Sequence, residues 1–428
     1  MSNFLGAVLF AIVAVAAWFG WRALSKRRQR ERDAAQQHAS TPTPSFRVLA
    51  LGPQGAGKTL LLASMYHSLQ TPSGRGYFLA APYDQVIQLS SWFADAADPN
   101  RDWPFGTAVG ETREFTFDVT TRTATERHTV LRIGYLEYAG ELLTDPQAPG
   151  STAQQDLIAR IESAHALLGI IDGHRIRQVL DGDREGTWRL QQALTTMIAP
   201  MMSAFSPITF VITKWDLLSD VHPDENTRLG IVRNLLMSNT GFRDLVRTHS
   251  DRRVVRLVPV SAVGANFATL DSGGMVTKLP NGKVEPTNVD VPLSAVVPDV
   301  FEQIERSLDE ATRQQVLAEA RRAAQLGPAQ ALKTLATFVG QAAGGALLGS
   351  IGLRGLPAFA GDVSFGLFLD ARGGGLTERQ AAVNSRLDAA GRRLEQQQQA
   401  RRSVLRALQG RVDMLEGRLP ASRLSGEW

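Results

Sequence analysis

Eight residues constrain the fold of this 428-residue chain more than any other stretch: Gly52-Pro53-Gln54-Gly55-Ala56-Gly57-Lys58-Thr59. They match the pattern G-x-x-x-x-G-K-[ST] in full. The apolar run Phe46–Leu51 (FRVLAL) leads into them and reads as a strand, while LLLASMYHSL follows and reads as a helix. In a strand–loop–helix unit of this kind the glycines let backbone N–H groups turn inward around phosphate oxygens. Lys58 then reaches the terminal phosphates as a point charge, and Thr59 offers a hydroxyl to Mg²⁺. The start of the helix adds the positive end of its dipole. Gly52, Gln54, Gly55, Ala56, Gly57, Lys58 and Thr59 are therefore the candidate phosphate-binding residues. A chance match in an ordinary turn would need strand, loop and helix to fall in register by accident.

Beyond that loop, strand-like runs alternate with helical ones up to about residue 310. The strands expected are Glu114–Thr121, Thr129–Glu137, Ala166–Asp172, Ile208–Thr213 and Val254–Val260, with helices such as Ala153–Ser163 and Thr187–Met202 between them. Such alternation predicts an α/β domain over residues 46–310 with a mostly parallel sheet. Residues 271–292 read as an excursion or hairpin with Asn281-Gly282 as a turn, and residues 70–105 as an inserted surface. The composition, 43% hydrophobic and 21% charged, is that of a globular chain and excludes a mostly disordered one. There is no cysteine, which removes disulfides, thiol nucleophiles and Cys-ligated metals. A net charge of +4 does not call for a nucleic-acid partner, and the basic clusters lack interleaved aromatics, so none is expected.

Thr213-Lys214-Trp215-Asp216, at the end of the strand ITFVIT, resembles the [NT]-K-x-D motif of the Ras-like, translation-factor-related P-loop GTPases. A carboxylate at Asp216 can accept both N–H donors on the guanine edge, which adenine does not offer. The Lys214 stem would pack over the base. Val258–Gly264 (VPVSAVG) resembles the fifth motif of the same family, with Ser261 tightening the turn and the Ala262 N–H meeting the guanine carbonyl. Ile133–Glu141 (IGYLEYAGE) resembles the D-x-x-G motif, with Gly140 offering its N–H to the γ-phosphate. Here Glu137 stands where Asp is usual, and Glu141 where many relatives carry a water-positioning Gln. Glu141 can orient water, or it can repel the γ-phosphate and slow hydrolysis. Both departures bear on turnover rather than on binding. Thr107 and Thr112 are the two candidates for the threonine that feels the γ-phosphate and Mg²⁺. The resemblance implies a three-layer Ras-like domain that binds GTP or GDP with Mg²⁺. Lys58, Gly140 and Glu141 would serve hydrolysis, and Thr59, Glu137 and one of the two threonines would hold the metal. A scaffold that hardly turns over, or an ATPase using Asp172 at the end of ALLGIID, are the alternatives.

Phe4–Trp21 (FLGAVLFAIVAVAAWFGW) is uncharged over 18 residues. As a helix it is about 27 Å long, close to the hydrocarbon thickness of a bilayer. Arg22, Lys26, Arg27, Arg28, Arg30 and Arg32 follow at once. Positive charge stays on the cytoplasmic side, so the expected topology is a single-pass anchor with its N-terminus outside and the domain inside. Residues 22–45 form the basic juxtamembrane segment and linker, with anionic lipid headgroups as candidate contacts. Residues 311–428 read as a helical C-terminal region. Within it, Leu335–Leu353 is uncharged and glycine-rich, a candidate second membrane segment or a Gly/Ala-rich helix pair. Leu405, Leu408, Val412, Leu415 and Leu419 form a heptad-like seam for this chain's own domain or for an oligomer partner. An anchor followed by a Ras-like domain is similar in layout to the signal-recognition-particle receptor β-subunits, although the Ala/Arg-rich composition suggests a bacterial plasma membrane. The expected partners are the bilayer and a protein effector or regulator.

Overall fold

The computed structural model describes residues 43–72, 74–106, 112–122, 127–139, 152–251, 254–271, 274–298 and 376–424, together with positions 318 and 322. The expected anchor at 4–21, the basic segment up to residue 42, the 335–353 segment, Thr107, Gly140 and Glu141 lie outside the described residues. Among the described residues no helix is long and apolar enough to cross a membrane. In chain order the elements are β1 (Ser45–Gly52), α1 (Lys58–Leu69), β2 (Phe78–Ala80), α2 (Tyr83–Ala97), β3 (Thr112–Arg122), β4 (Arg127–Ala139), α3 (Thr152–Ser163), β5 (Ala166–Asp172), α4 (Gly173–Leu180), α5 (Arg184–Met202), β6 (Ile208–Thr213), α6 (Glu225–Ser238), α7 (Thr240–Ser250), β7 (Arg256–Pro259), β8 (Ala268–Leu270), β9 (Val276–Lys278) and α8 (Leu376–Arg418). The chain divides into two compact units. One comprises 44–306 with 395–428, and the other 1–43 with 307–394.

The larger unit is built on a seven-stranded sheet in the order β2-β3-β4-β1-β5-β6-β7. Strands β4, β1, β5, β6 and β7 run parallel, and β3 and β2 add antiparallel pairings at one edge. β5 (ALLGIID) and β6 (ITFVIT) are buried at every residue, the pattern of parallel strands covered on both faces. β1 lies between β4 and β5, so the chain leaves it at a point where the strand order reverses. Ligands of open α/β sheets bind at the C-terminal ends of the strands beside such a point. The residues that start the following helices are chosen to cap them. Asp172, Asp183, Asp224 and Asn239 each accept a backbone N–H from the first turn of α4, α5, α6 and α7. The Asp183 cap is why α5 starts at Arg184, one turn before the expected Thr187.

The 70–105 insertion has elements of its own, and the 271–292 hairpin turns elsewhere than the Asn-Gly signal suggests. Residues 70–105 supply an edge strand, β2, and a helix, α2, whose Phe93 stacks on His67 of α1 at 3.7 Å between ring centroids. The hairpin of β8 and β9 turns at Asp271–Met275, where the Gly274 N–H donates to the Asp271 carbonyl. Asn281-Gly282 forms a separate turn after β9, closed by the Gly282 N–H on the Leu279 carbonyl. The Asn-Gly signal marked a real turn but not the tip of the hairpin.

The expected boundary at residue 310 separates segments that fold together. Ala400, Val404, Leu408, Val412 and Leu415 of α8, and Leu419 just after it, are buried, with Leu405 at the margin of the stripe. The seam expected from the heptad spacing thus runs through Val404 in place of Leu405, extends back to Ala400 and is covered within the chain's own unit. The Leu424 N–H donates to the Val255 carbonyl at 2.9 Å, next to β7 at the sheet edge. Arg256 meets Glu416 at 2.8 Å. Asp290, almost fully buried, accepts two bonds from the Arg411 guanidinium at 2.7 and 3.0 Å, and Arg75 approaches it at 3.4 Å. Charge-assisted, two-pronged contacts of this kind fix orientation as well as energy. Arg411→Ala leaves the Asp290 carboxylate with its weaker partner only. It should lower stability by about 2 kcal/mol, read as a shift of the urea midpoint, and an unshifted midpoint would contradict the assignment.

Candidate functional site

The loop between β1 and α1 has the form its sequence implies. Gly55 and Gly57 hold φ of 75° and 84°, a region that a side chain disfavours. Lys58 folds back over the loop, its Nζ donating to the Gly52 and Pro53 carbonyls at 2.8 Å each. Phosphate oxygens would exchange for those carbonyls as acceptors. Thr59 Oγ1 donates to Glu137 Oε1 at 2.7 Å, and Glu137 is fully buried. The pairing follows from the sheet, since β4 runs parallel beside β1 with Glu137 level with Ala50. Glutamate at this position reaches the P-loop hydroxyl directly. Thr112 opens β3 opposite Tyr138, and its hydroxyl bonds the Tyr138 phenol. It does not line the cavity described below, so the structure does not bring it to Thr59 and Glu137.

The second half of the site is knitted onto the first. Thr213 Oγ1 donates to the Ala56 carbonyl at 2.6 Å. Lys214 sits in the left-handed region with φ 49°, and its Nζ donates to the Gly55 carbonyl at 2.8 Å and to Asp172 Oδ2 at 2.9 Å. A non-glycine residue in that region costs about 1 kcal/mol or more and persists where its surroundings hold it. Here the Trp215 N–H, donating to the Val260 carbonyl, and the two Nζ contacts supply the hold. Asp216 Oδ1 accepts the Ser261 hydroxyl at 2.6 Å, and Ser261 Oγ in turn accepts the Gly264 N–H at 2.8 Å. The Ala262 carbonyl accepts from Ser64 of α1 at 2.9 Å, which fixes the S-A turn against the phosphate helix.

These pieces share one cavity of about 460 Å³, lined at one end by Lys58, Thr59 and Glu137 and at the other by Lys214, Asp216 and Ala262. Asp172 lines it too. Its carboxylate is engaged by Lys214 and by the His174 N–H at 2.9 Å, whereas the Thr59 hydroxyl goes to Glu137. The ATPase alternative built on Asp172 therefore gains no support from the geometry. Trp103, His174 and Met275 are among the lining residues that no phosphate or purine motif marks. The motif W-P-F-G-T beside the candidate threonine was the one available signal for Trp103. Of the other three tryptophans between Lys58 and Asp216, Trp92 packs edge-on against Phe115, Trp188 is exposed and Trp215 is buried. Burial pushes the His174 imidazole below its ordinary value, helped by Lys214 and Arg175 and opposed by Asp172, so it is neutral at pH 7.

No family model matches the chain, and no curated protein matches it. Among solved structures, the chain is similar to the S. cerevisiae Ski7 GTPase-like domain bound to GTP, at 15% identity and a TM-score of 0.33. The match covers 62% of this chain and 52% of that one, so the chain spans about half the length of that neighbour. The α/β architecture with its mostly parallel sheet, and the loop at the end of β1, fit a P-loop GTPase-like fold.

Burial also raises the Asp216 carboxyl above the ordinary aspartate value, against the pull of the Ser261 hydroxyl, its own backbone N–H and Lys214. With a raised folded pKa the native state binds the proton more readily than the unfolded chain. Stability is therefore lost as pH rises from the ordinary aspartate range through the folded value. Nucleotide-free Asp216→Asn should melt at a higher temperature than the native chain at pH 7, and the gap should narrow as pH falls toward the ordinary aspartate range. Equal melting curves at pH 7 would contradict the burial argument.

Proposed function

We propose that this chain is a guanine-nucleotide-binding P-loop protein, tethered to the membrane by residues 4–21 with its nucleotide domain on the cytoplasmic side, and that it hydrolyses GTP to GDP and phosphate. The observation that carries the nucleotide reading is the shared cavity: phosphate-type groups line one end of it and guanine-type groups the other, joined by the Lys214–Gly55 and Thr213–Ala56 bonds. Lys58 offers charge to the β- and γ-phosphates. Asp216, oriented by the Ser261 hydroxyl, presents a carboxylate edge to the N–H pair of guanine. An adenine amino group in the same place would leave that buried carboxylate without its second donor, which is the costly outcome in a desolvated site.

A divalent cation fits the phosphate end. The Thr59 hydroxyl donates its hydrogen bond to Glu137, so its oxygen lone pairs can face a hard ion, and both candidate ligands are oxygen. Thr59 and Glu137 would hold Mg²⁺, directly or through water. When bound it neutralises charge on the transferring phosphoryl group. Glu141 and the Gly140 N–H remain the proposed water-positioning groups, and segments 104–113 and 137–145 the proposed nucleotide-sensitive surface for a protein effector. The uncharged run Phe4–Trp21 and the basic cluster after it support the tether. A second reading, a nucleotide-binding scaffold without turnover, is favoured by Glu137 itself. Its longer arm already holds the Thr59 hydroxyl, so a cation has to share or displace that bond.

Competition binding decides the nucleotide. The full chain with Mg²⁺ should retain guanine nucleotides, Lys58→Ala should weaken binding by about 100-fold, and Asp216→Asn should cut the preference for guanine over adenine by a similar factor. Equal affinity for ATP and GTP would overturn the guanine assignment. Single-turnover release of phosphate from bound GTP separates the hydrolase from the scaffold.

A further inference from the structure

The hairpin of β8 and β9 follows the purine loop and reaches across to the segment after α2. Lys278 Nζ donates to the backbone carbonyls of Asp95 at 2.6 Å, Arg101 at 2.8 Å and Asp98 at 2.9 Å, with the Asp102 carbonyl at 3.4 Å. Asp95 and Asp98 mark the end of α2, where helix carbonyls lack intrahelical partners and the dipole is negative. One ammonium on the hairpin thus caps that helix end and gathers the turn that follows it. The same ammonium lies 4.7 Å from the centroid of the Trp103 ring. Trp103 Nε1 donates back to the Val276 carbonyl at 3.1 Å, and its ring meets Phe267 edge-on at 6.2 Å.

Below these contacts lies a small apolar cluster separate from the sheet. Val263, Phe267 and Ala268 are buried, and Leu60, Trp103, Val276 and Val284 pack against them. Leu60 directly follows Thr59 and Val263 directly follows Ala262. The cluster therefore touches the phosphate helix, the purine loop, the hairpin and the 98–106 segment at once. Trp103, Pro104 and Gly106 on one side, and Gly274, Met275 and Val276 on the other, form the wall of the nucleotide cavity that no phosphate or purine motif supplies.

We propose that the β8–β9 hairpin and residues 98–106 act as one clamp over the bound nucleotide, fastened by Lys278 and Trp103, so that the purine loop and the wall beside the phosphates release the ligand together. This rests on the guanine-nucleotide reading of the site. Lys278 and the Trp103 N–H bind protein, not ligand. Loosening them speeds dissociation and leaves the choice between guanine and adenine, which Asp216 makes, as it was. Trp103 lies in the cavity wall, so its fluorescence reports occupancy.

The test uses the full chain loaded with mant-GDP and Mg²⁺, chased with excess GDP in a stopped-flow instrument. Lys278→Met should release mant-GDP about tenfold faster than the native chain, and Trp103→Phe, which keeps a ring but loses the N–H, should do so several-fold faster. Lys278→Arg, which keeps charge and donors, should recover most of the native rate. Selectivity for GDP over ADP should be unchanged in all three, a result that general loosening of the fold would not produce. Native-rate release from both Lys278→Met and Trp103→Phe overturns the inference while leaving the site reading intact. If Lys278→Met fails to fold, Trp103→Phe decides alone. If the native chain forms no mant-GDP complex, the site reading itself fails, and the inference falls with it.

Discussion

The Lys214 ammonium, held between the Gly55 carbonyl and the Asp172 carboxylate, is the contact on which the site depends. It ties the end of β6 to the loop after β1 across the intervening β5. The left-handed backbone at Lys214 is held by this arrangement together with the Trp215 N–H on the Val260 carbonyl. With the Thr213 hydroxyl on the Ala56 carbonyl, it joins the loop after β1 to the loop after β6 across one cavity before any ligand arrives. Preorganised groups of this kind lose little freedom on binding, so more of the contact energy appears as affinity.

The carboxylates around the cavity are set to different tasks by their surroundings. Glu137 is buried against the Thr59 hydroxyl, Asp172 caps a helix while pairing with Lys214, and Asp216 is desolvated but oriented by Ser261. Three acids lining one cavity thus divide into a partner for a buried hydroxyl, a helix cap that braces a lysine, and a carboxylate oriented by a serine. Their identity as acids does not separate them. Their hydrogen-bond partners do, and those come from the order β4-β1-β5-β6 in the sheet.

Local chemistry was readable wherever the function is carried by consecutive residues. The loop Gly52–Thr59, the strands Ala166–Asp172 and Ile208–Thr213, and the pairing of Thr213, Lys214 and Asp216 with Ser261 all sit in short motifs with their own backbone demands. What escaped the reading depends on long-range pairing. Nothing local ties Lys278 to the carbonyls of Asp95, Asp98 and Arg101, nearly two hundred residues upstream, or Arg411 to Asp290. The role of Asp172 was obscured for the same reason. A carboxylate ending a strand looks alike whether it faces a metal or a lysine from the next strand, and only the register of β5 against β6, with Asp172 level with Thr213, decides. The placement of Asn281-Gly282 shows the limit of a turn signal. It marks a reversal but does not say which two strands the reversal joins.

The larger unit is closed by the far end of the chain. Residues 395–424 cover the edge at β7 and supply Arg411 and Glu416 to Asp290 and Arg256, yet they are synthesised only after 307–394. On the ribosome, therefore, the sheet stands with an open edge at β7, and Asp290 with only its weaker partner Arg75, until α8 emerges. A nascent chain halted before α8 carries an exposed strand edge, the kind of surface on which chaperones and proteases act.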